Sequence, residues 1–184
     1  MTVSDVWSSR STEAGSVRLV PLSGDALRAL ANGDLDLAGS LTSDALTPYL
    51  VSAECRCVWK RRSEQIEAAP ADAEWITRLI VHLPAGLAVG RAGYHGPPDA
   101  AGMIEVGYSV DPDHRRKGYA RAALVILLDT ARALPTVRTV RATITPDNAP
   151  SRSLVDQYGF IEVGEQWDEE DGLELVLELD VGDA

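Results

Sequence analysis

Met103-Ile104-Glu105-Val106-Gly107-Tyr108-Ser109-Val110-Asp111-Pro112-Asp113-His114-Arg115-Arg116-Lys117-Gly118-Tyr119-Ala120 holds a strand, a turn and a helix entry in one stretch. β-Branched and aromatic residues crowd Met103 to Val110, and Asp111-Pro112 ends the run. Beyond the turn, Ala120, Ala123, Leu124, Leu127, Leu128, Ala131 and Leu134 recur at helical spacing, which predicts a long helix over Tyr119 to Leu134. A glycine turn that opens a helix presents unpaired N–H groups at the positive end of the helix dipole, and Arg115, Arg116 and Lys117 add charge to that field. Such an entry suits a phosphate or diphosphate. Taken alone, a basic turn of this kind usually reads as a solvated cluster around a turn glycine.

Outward from this stretch, Val17 to Val20 reads as a first strand, and Ser23-Gly24-Asp25 and Gly33 bracket a helix. Pro48 is expected to open a second helix running to about Arg62, with helical sequence continuing toward Pro70. Trp75 to Leu83 and Leu87 to His95 read as a hairpin around Pro84-Ala85-Gly86. Gly90 and Gly93 lie inside the second of these strands, so bulges or close packing explain them better than a nucleotide loop. Val137 to Ile144 alternates as a strand, Pro150 to Gln157 makes a short helix, and Ile161 to Trp167 and Leu173 to Val181 are two further strands. Residues 1–15, polar and rich in Ser and Thr, are expected to form a flexible leader, with 16–184 as a single domain. Strands around a few helices, with hairpins and one helical crossover, give a mixed α/β sheet.

With 184 residues and 45% hydrophobic composition, the chain fits one soluble globular domain with a substantial core. No apolar run is long enough for a membrane span, and Met1-Thr2-Val3-Ser4-Asp5 lacks the basic start of a secretory signal, so a cytoplasmic location is expected. The net charge of −11 argues against nucleic acid or an anionic membrane as the main partner. Glu162 onward carries ten acidic residues and no Lys or Arg, whereas Arg115, Arg116, Lys117 and Arg121 form a local positive patch. Cys55-x-Cys57 and the scattered His82, His95 and His114 have no metal-ligand spacing, so no metal is expected.

The order of a strand bearing Glu105, an Arg115-x-x-Gly118-x-Ala120 turn, a long helix, a strand, Asn148-x-x-Ser151 and then Gly159-Phe160 resembles the GNAT superfamily of N-acetyltransferases, nearest its RimJ/RimL-like branch. The likeness is strong over the second half of the chain and covers the first half only in layout. It implies an α/β (α+β) fold: a mostly antiparallel six- to seven-stranded sheet, two central parallel strands splayed apart, and about four helices. It also implies acetyl-CoA as cofactor and a primary amine as acceptor, on a small molecule or a peptide N-terminus. Dimers are frequent in the family.

By that resemblance, backbone amides of Arg115, Arg116, Lys117, Gly118, Tyr119 and Ala120 would hold the diphosphate. Tyr108, Ser109 and Val110 would line the pantetheine arm at a bulge that Gly107 could provide, and Asn148 and Ser151 would touch the cofactor. Glu105, between apolar neighbours on a central strand, is the leading general base, directly or through water; the other reading is an edge glutamate or an ion pair with an arginine. His95 is second choice. Many relatives carry a tyrosine four residues before Gly-Phe as acid toward the thiolate, but this chain has Val155 there. Ser151 is then the candidate proton donor, with a water relay, loss of thiolate and plain helix capping as alternatives.

Tyr158 has the wrong offset for that acid and reads as core. Tyr49, Trp59 and the acidic loop Asp168 to Asp171 are placed near the acceptor, and Trp75 and Trp167 are either pocket walls or core. The loop would attract a cationic amine or serve only as a solubilising hairpin. A non-catalytic acyl-CoA-binding module stands as the alternative to the enzyme.

Overall fold

The computed structural model describes residues 5–169 and 172–182. Its elements are β1 (Val17–Val20), α1 (Gly24–Asn32), α2 (Leu35–Ser40), β2 (Ala45–Leu46), α3 (Ala53–Ala68), β3 (Arg78–His82), β4 (Leu87–Tyr94), β5 (Met103–Val110), α4 (Tyr119–Arg132), β6 (Thr139–Ile144), α5 (Ala149–Asp156), β7 (Ile161–Asp168) and β8 (Gly172–Asp180). The strands form one sheet in the order β1-β3-β4-β5-β6-β8-β7, and β2 pairs with β4. Along that order every pairing is antiparallel except β5 with β6. A parallel pair needs a long crossover, and α4 supplies it.

The β5–β6 ladder is short. It joins Met103–Val106 to Thr139–Ala142 and stops, while β5 continues along β4 to Val110 and β6 along β8 to Ile144. Each strand keeps its outer partner, so the two part from each other and leave a V-shaped gap. The splayed pair expected from the family resemblance is therefore present.

Alternation along β5 sends Ile104, Val106 and Val110 into the core beneath α4, which also takes in Leu124, Leu127, Leu128, Leu154 and Phe160. Tyr94 pins β4 to α4 through a 2.6 Å hydrogen bond from its hydroxyl to the Leu127 carbonyl. A second core lies on the other face, where Leu27, Leu30 and Trp59 of α1 and α3 cover Leu79, Val81 and Ala88. Among the described residues no helix is long and apolar enough to cross a membrane.

Ser23 caps α1 and Gly33, in the left-handed region, ends it, as their sequence positions predict. Pro48 opens a 3-10 turn (Pro48–Val51) rather than the second helix; that helix starts at Ala53 because the Ser52 hydroxyl caps it. Helix α2, capped by Asp34, and the two-residue β2 bring the totals among the described residues to five helices and eight strands, above the expected numbers. The strand expected from Trp75 begins at Arg78.

The stretch read as a flexible leader docks from Asp5 onward; residues 1–4 lie outside the described residues. Trp7 bridges Leu19, is only 2% exposed, lies 3.6 Å beneath the Arg78 guanidinium and sits 5.3 Å from the Tyr94 ring. One buried indole supplies enough apolar area and cation–π attraction to order a polar segment.

Candidate functional site

Between β5 and α4 the chain turns through Arg116 and Gly118, both with positive φ (60° and 84°). For Gly118 this conformation carries no Cβ penalty, and a Cβ there would meet nothing within 4 Å, so the backbone borders open space. The first helical bond of α4 runs from Ala122 N–H to the Gly118 carbonyl, and the amides of residues 116–121 have no acceptor among the described residues. They border a groove of about 910 Å³ lined by Tyr108, Val110, Arg116, Gly118, Asn148 and Ser151, with Ser109, Arg115, Tyr119 and Ala120 also on its walls. Unpaired amides, the helix dipole and adjacent arginines fit a diphosphate at this end, and the long groove fits the chain attached to it.

The cationic side chains divide their work. Arg115 ties the turn to β5 through its Nε and the Val110 carbonyl (3.0 Å). Lys117 bonds the Asp113 carbonyl and does not line the groove, so the charge expected from it is directed elsewhere. Arg121 is engaged by Gln157, Tyr158 and Glu13. Tyr158 packs half-buried against the core, as expected, with its hydroxyl between Arg121 and Glu13.

The expected bulge near Gly107 is absent: β5 pairs with β4 in unbroken register from Val106 to Val110. His95 N–H donates to the Glu105 carbonyl and Asp111 N–H to the Val89 carbonyl, so the odd-numbered residues of β5 spend their backbone groups on β4. By alternation Tyr108 and Val110 turn theirs toward the gap, and Ser109 does not. The Ser109 hydroxyl faces the α3 side, 2.5 Å from the Tyr49 hydroxyl and 3.0 Å from Glu54, which also pairs with Arg91. Gly107 is explained by His95: a Cβ there would lie 2.8 Å from the imidazole Nε2. Gly90 and Gly93 are close-approach glycines, as expected, since their Cβ atoms would strike the Ser109 carbonyl and the Thr77 backbone.

A second, smaller cavity of about 210 Å³ lies on the α3 side, lined by Arg62, Arg91, His95, Gly107, Thr143 and Glu174 among others. It shares three lining residues with the groove: Tyr108, Asn148 and Ser151. The Tyr108 hydroxyl is buried beside Ser151 and completes no hydrogen bond. Burial raises its pKa, and Ser151 offsets this only in part, so the phenol keeps its proton. Asn148 caps α5 by accepting from Ser151 N–H, so capping and groove lining coexist in this pair.

Glu105 lines neither cavity. Its side chain is on the α3 face, where Oε1 accepts from the Thr143 hydroxyl (2.8 Å) and lies 3.2 Å from His95 Nδ1. Burial pushes its pKa up, but His95, Thr143 and nearby Arg141 pull harder the other way, and the net shift is downward. The carboxylate therefore stays ionised behind the imidazole, whose Nε2 has no hydrogen-bond partner among the described residues.

Val155, where many relatives have a tyrosine, is fully buried. Trp59 is core, its Nε1 donating to the Leu50 carbonyl, and Trp167 is 77% exposed on β7; neither these nor Trp75 line the cavities. Asp168 and Glu169 do not line them either, and Glu170 and Asp171 lie outside the described residues. Sequence reasoning missed the Tyr108 hydroxyl and the arginine wall. A glycine inside the β5 strand, Gly107, is the one sequence signal of a close approach there, and it does not name His95 as the partner.

Among known proteins, the Acetyltransferase (GNAT) domain family matches residues 26–161. The uncharacterized N-acetyltransferase YjdG of Bacillus subtilis (strain 168) is 40% identical over 73 residues, 40% of this chain and 44% of that protein, so the chain matches less than half the length of this curated relative. The fold is similar to ribosomal-protein-S5-alanine acetyltransferase from Vibrio fischeri (TM-score 0.64, 17% identity, 91% of this chain and 94% of the other). It is equally similar to Mycobacterium smegmatis RimJ in complex with CoA-disulfide (TM-score 0.64, 21% identity, 96% and 88%). At these identities the two structures speak to the fold alone.

Proposed function

Because the chain belongs to the GNAT acetyltransferase family, we propose that it is an acetyl-CoA-dependent N-acetyltransferase acting on a primary amine of a small molecule or a peptide N-terminus. The observation that carries this reading is the meeting of the two cavities at Tyr108, Asn148 and Ser151, with the free amides of α4 at the far end of the larger one. One cavity suits the cofactor, the other the acceptor.

Amides around Gly118, with Arg116, would hold the diphosphate, and backbone groups of Tyr108 and Val110 would line the pantetheine arm. Acetyl-CoA, when bound, supplies an acetyl group activated as a thioester. Glu105 reaches the acceptor through His95: the carboxylate keeps a proton on Nδ1, and Nε2 takes the proton that the amine loses as its nitrogen bonds to the acetyl carbon. Tyr108 holds a proton at the junction for the sulfur released when the carbon–sulfur bond breaks, with Ser151 beside it. Proton count balances, one accepted at His95 and one given from Tyr108.

Calorimetry with coenzyme A and release of free thiol from acetyl-CoA with an amine panel test the proposal. Coenzyme uptake with thiol release is expected, and no uptake of coenzyme A would overturn it. Val155 favours a second reading, a non-catalytic acyl-CoA-binding module. For that reading, uptake would occur without thiol release from any amine.

A further inference from the structure

The smaller cavity is positively lined in a chain of net charge −11. Arg61, Arg62 and Arg91 all reach it, against a single carboxylate, Glu174, among the described lining residues. Arg62 is 6% exposed and its partners are neutral: Nε donates to the Thr77 hydroxyl, and Nη1 to Gln65 Oε1 (2.7 Å) and the His95 carbonyl (2.9 Å). Among the described residues no carboxylate lies within 4 Å of it and its Nη2 makes no hydrogen bond. Arg91 pairs with Glu54 through Nη2, while its Nε is buried without a partner. Burial, then the charges of Arg61 and Arg91, lower the Arg62 pKa to about 10 against the weaker pull of Glu105 and Asp72, so it remains cationic at neutral pH.

A buried guanidinium whose carboxylates, Glu105 and Asp72, act on it only from beyond ion-pair contact is costly, and neighbouring guanidinium charges raise that cost. An anion entering the cavity removes it, because the planar fork of arginine matches carboxylate and phosphate oxygens. A cationic chain such as a polyamine would meet like charge instead.

We propose that the small cavity takes an acceptor that carries an anionic group, carboxylate or phosphate, along with its amine. Arg62 and Arg91 hold the anion, and the amine lies toward His95 and Tyr108. The cavity volume of about 210 Å³ suits a molecule of amino-acid size. This inference rests on the transferase reading for the amine and on the arginine wall for the anion. It also replaces the attraction of a cationic acceptor expected from the acidic Asp168 to Asp171 loop, whose described members do not line the cavity.

The test compares matched amines on the full chain: β-alanine against propylamine, and O-phosphoethanolamine against ethanolamine, by calorimetry with coenzyme A present and by thiol release from acetyl-CoA. One member of each pair is anionic, and the two pairs separate carboxylate from phosphate. At least one anionic member is expected to exceed its twin by about tenfold or more in affinity or kcat/KM. Arg62→Gln should remove the preference and leave coenzyme uptake unchanged; Arg91→Gln, less buried, provides the same test if the first variant does not fold. Equal or better use of propylamine, ethanolamine or spermidine overturns the inference while leaving the transferase reading standing, as does failure of both anionic amines to bind. Binding of an anionic amine without any uptake of coenzyme A would instead sink the transferase reading alone.

Discussion

Nδ1 of His95 stands 3.2 Å from Oε1 of Glu105, and the opposite edge of the same imidazole covers Gly107. The ring is gripped on one side and packed against backbone on the other. Glu105→Gln and His95→Gln are each expected to lower kcat by roughly a hundredfold, the usual weight of a general base. Gly107→Ala should approach the same loss, because its Cβ would lie 2.8 Å from Nε2 and displace the ring. Coenzyme affinity measured by calorimetry should not change in any of the three. A Gly107→Ala protein with normal turnover would exclude the imidazole from the reaction.

The Tyr108 hydroxyl separates activity from stability. Tyr108→Phe is expected to reduce kcat by roughly a hundredfold. Since the hydroxyl is buried without a completed hydrogen bond, its removal should leave stability unchanged or raise it by about 1 kcal/mol. Urea unfolding and steady-state kinetics on one preparation check both halves. A destabilised but fully active variant would mark the hydroxyl as structural.

Glu105 also shapes stability against pH. Burial raises its pKa and is outweighed by His95, Thr143 and Arg141, so the folded value lies below the unfolded one, about 4.3. The resulting stabilisation is fully present above the unfolded value and disappears as pH falls through the folded one. Unfolding free energies of the parent and Glu105→Gln should therefore differ most at neutral pH and converge in acid below about pH 4. A constant gap across this range would contradict the assignment.

Gly118 at φ 84° has open space where a Cβ would go, so Gly118→Ala carries backbone strain without a steric clash. The variant should lose about 1 kcal/mol of stability. Its affinity for coenzyme A should also fall, because the new methyl borders the groove. Thermal melting with and without coenzyme A separates the two effects.

Trp7→Ala tests the docking of the N-terminal segment. The indole is 2% exposed and contacts Arg78 and Tyr94, so its truncation should cost about 3 kcal/mol in denaturant unfolding. A change near zero would return this segment to the flexible leader that its composition suggests.

Local chemistry determined much of what could be read in advance. Ser23 and Gly33 bracket α1, Asp111-Pro112 stops β5, and Gly118 opens α4, because caps and breakers act within a few residues of themselves. The α2 helix and the break at Ser52 were harder to read: the first is six residues with an internal glycine, and the second depends on whether one hydroxyl caps.

From the amino-acid order alone came the strand–turn–helix at Glu105 to Ala120, the two parallel central strands implied by family resemblance, and the placing of Asn148 and Ser151 beside the groove. Only the tertiary structure decided that Glu105 stands behind His95, that the Tyr108 hydroxyl and Ser151 sit at a junction of two cavities, and that Arg62 and Arg91 line the smaller one. The physical reason is separation along the chain. His95 and Thr143 meet Glu105 from neighbouring strands, and Arg62 arrives from a helix on the opposite side of the cavity, so contacts set by strand pairing and packing leave no periodic trace in the order of residues.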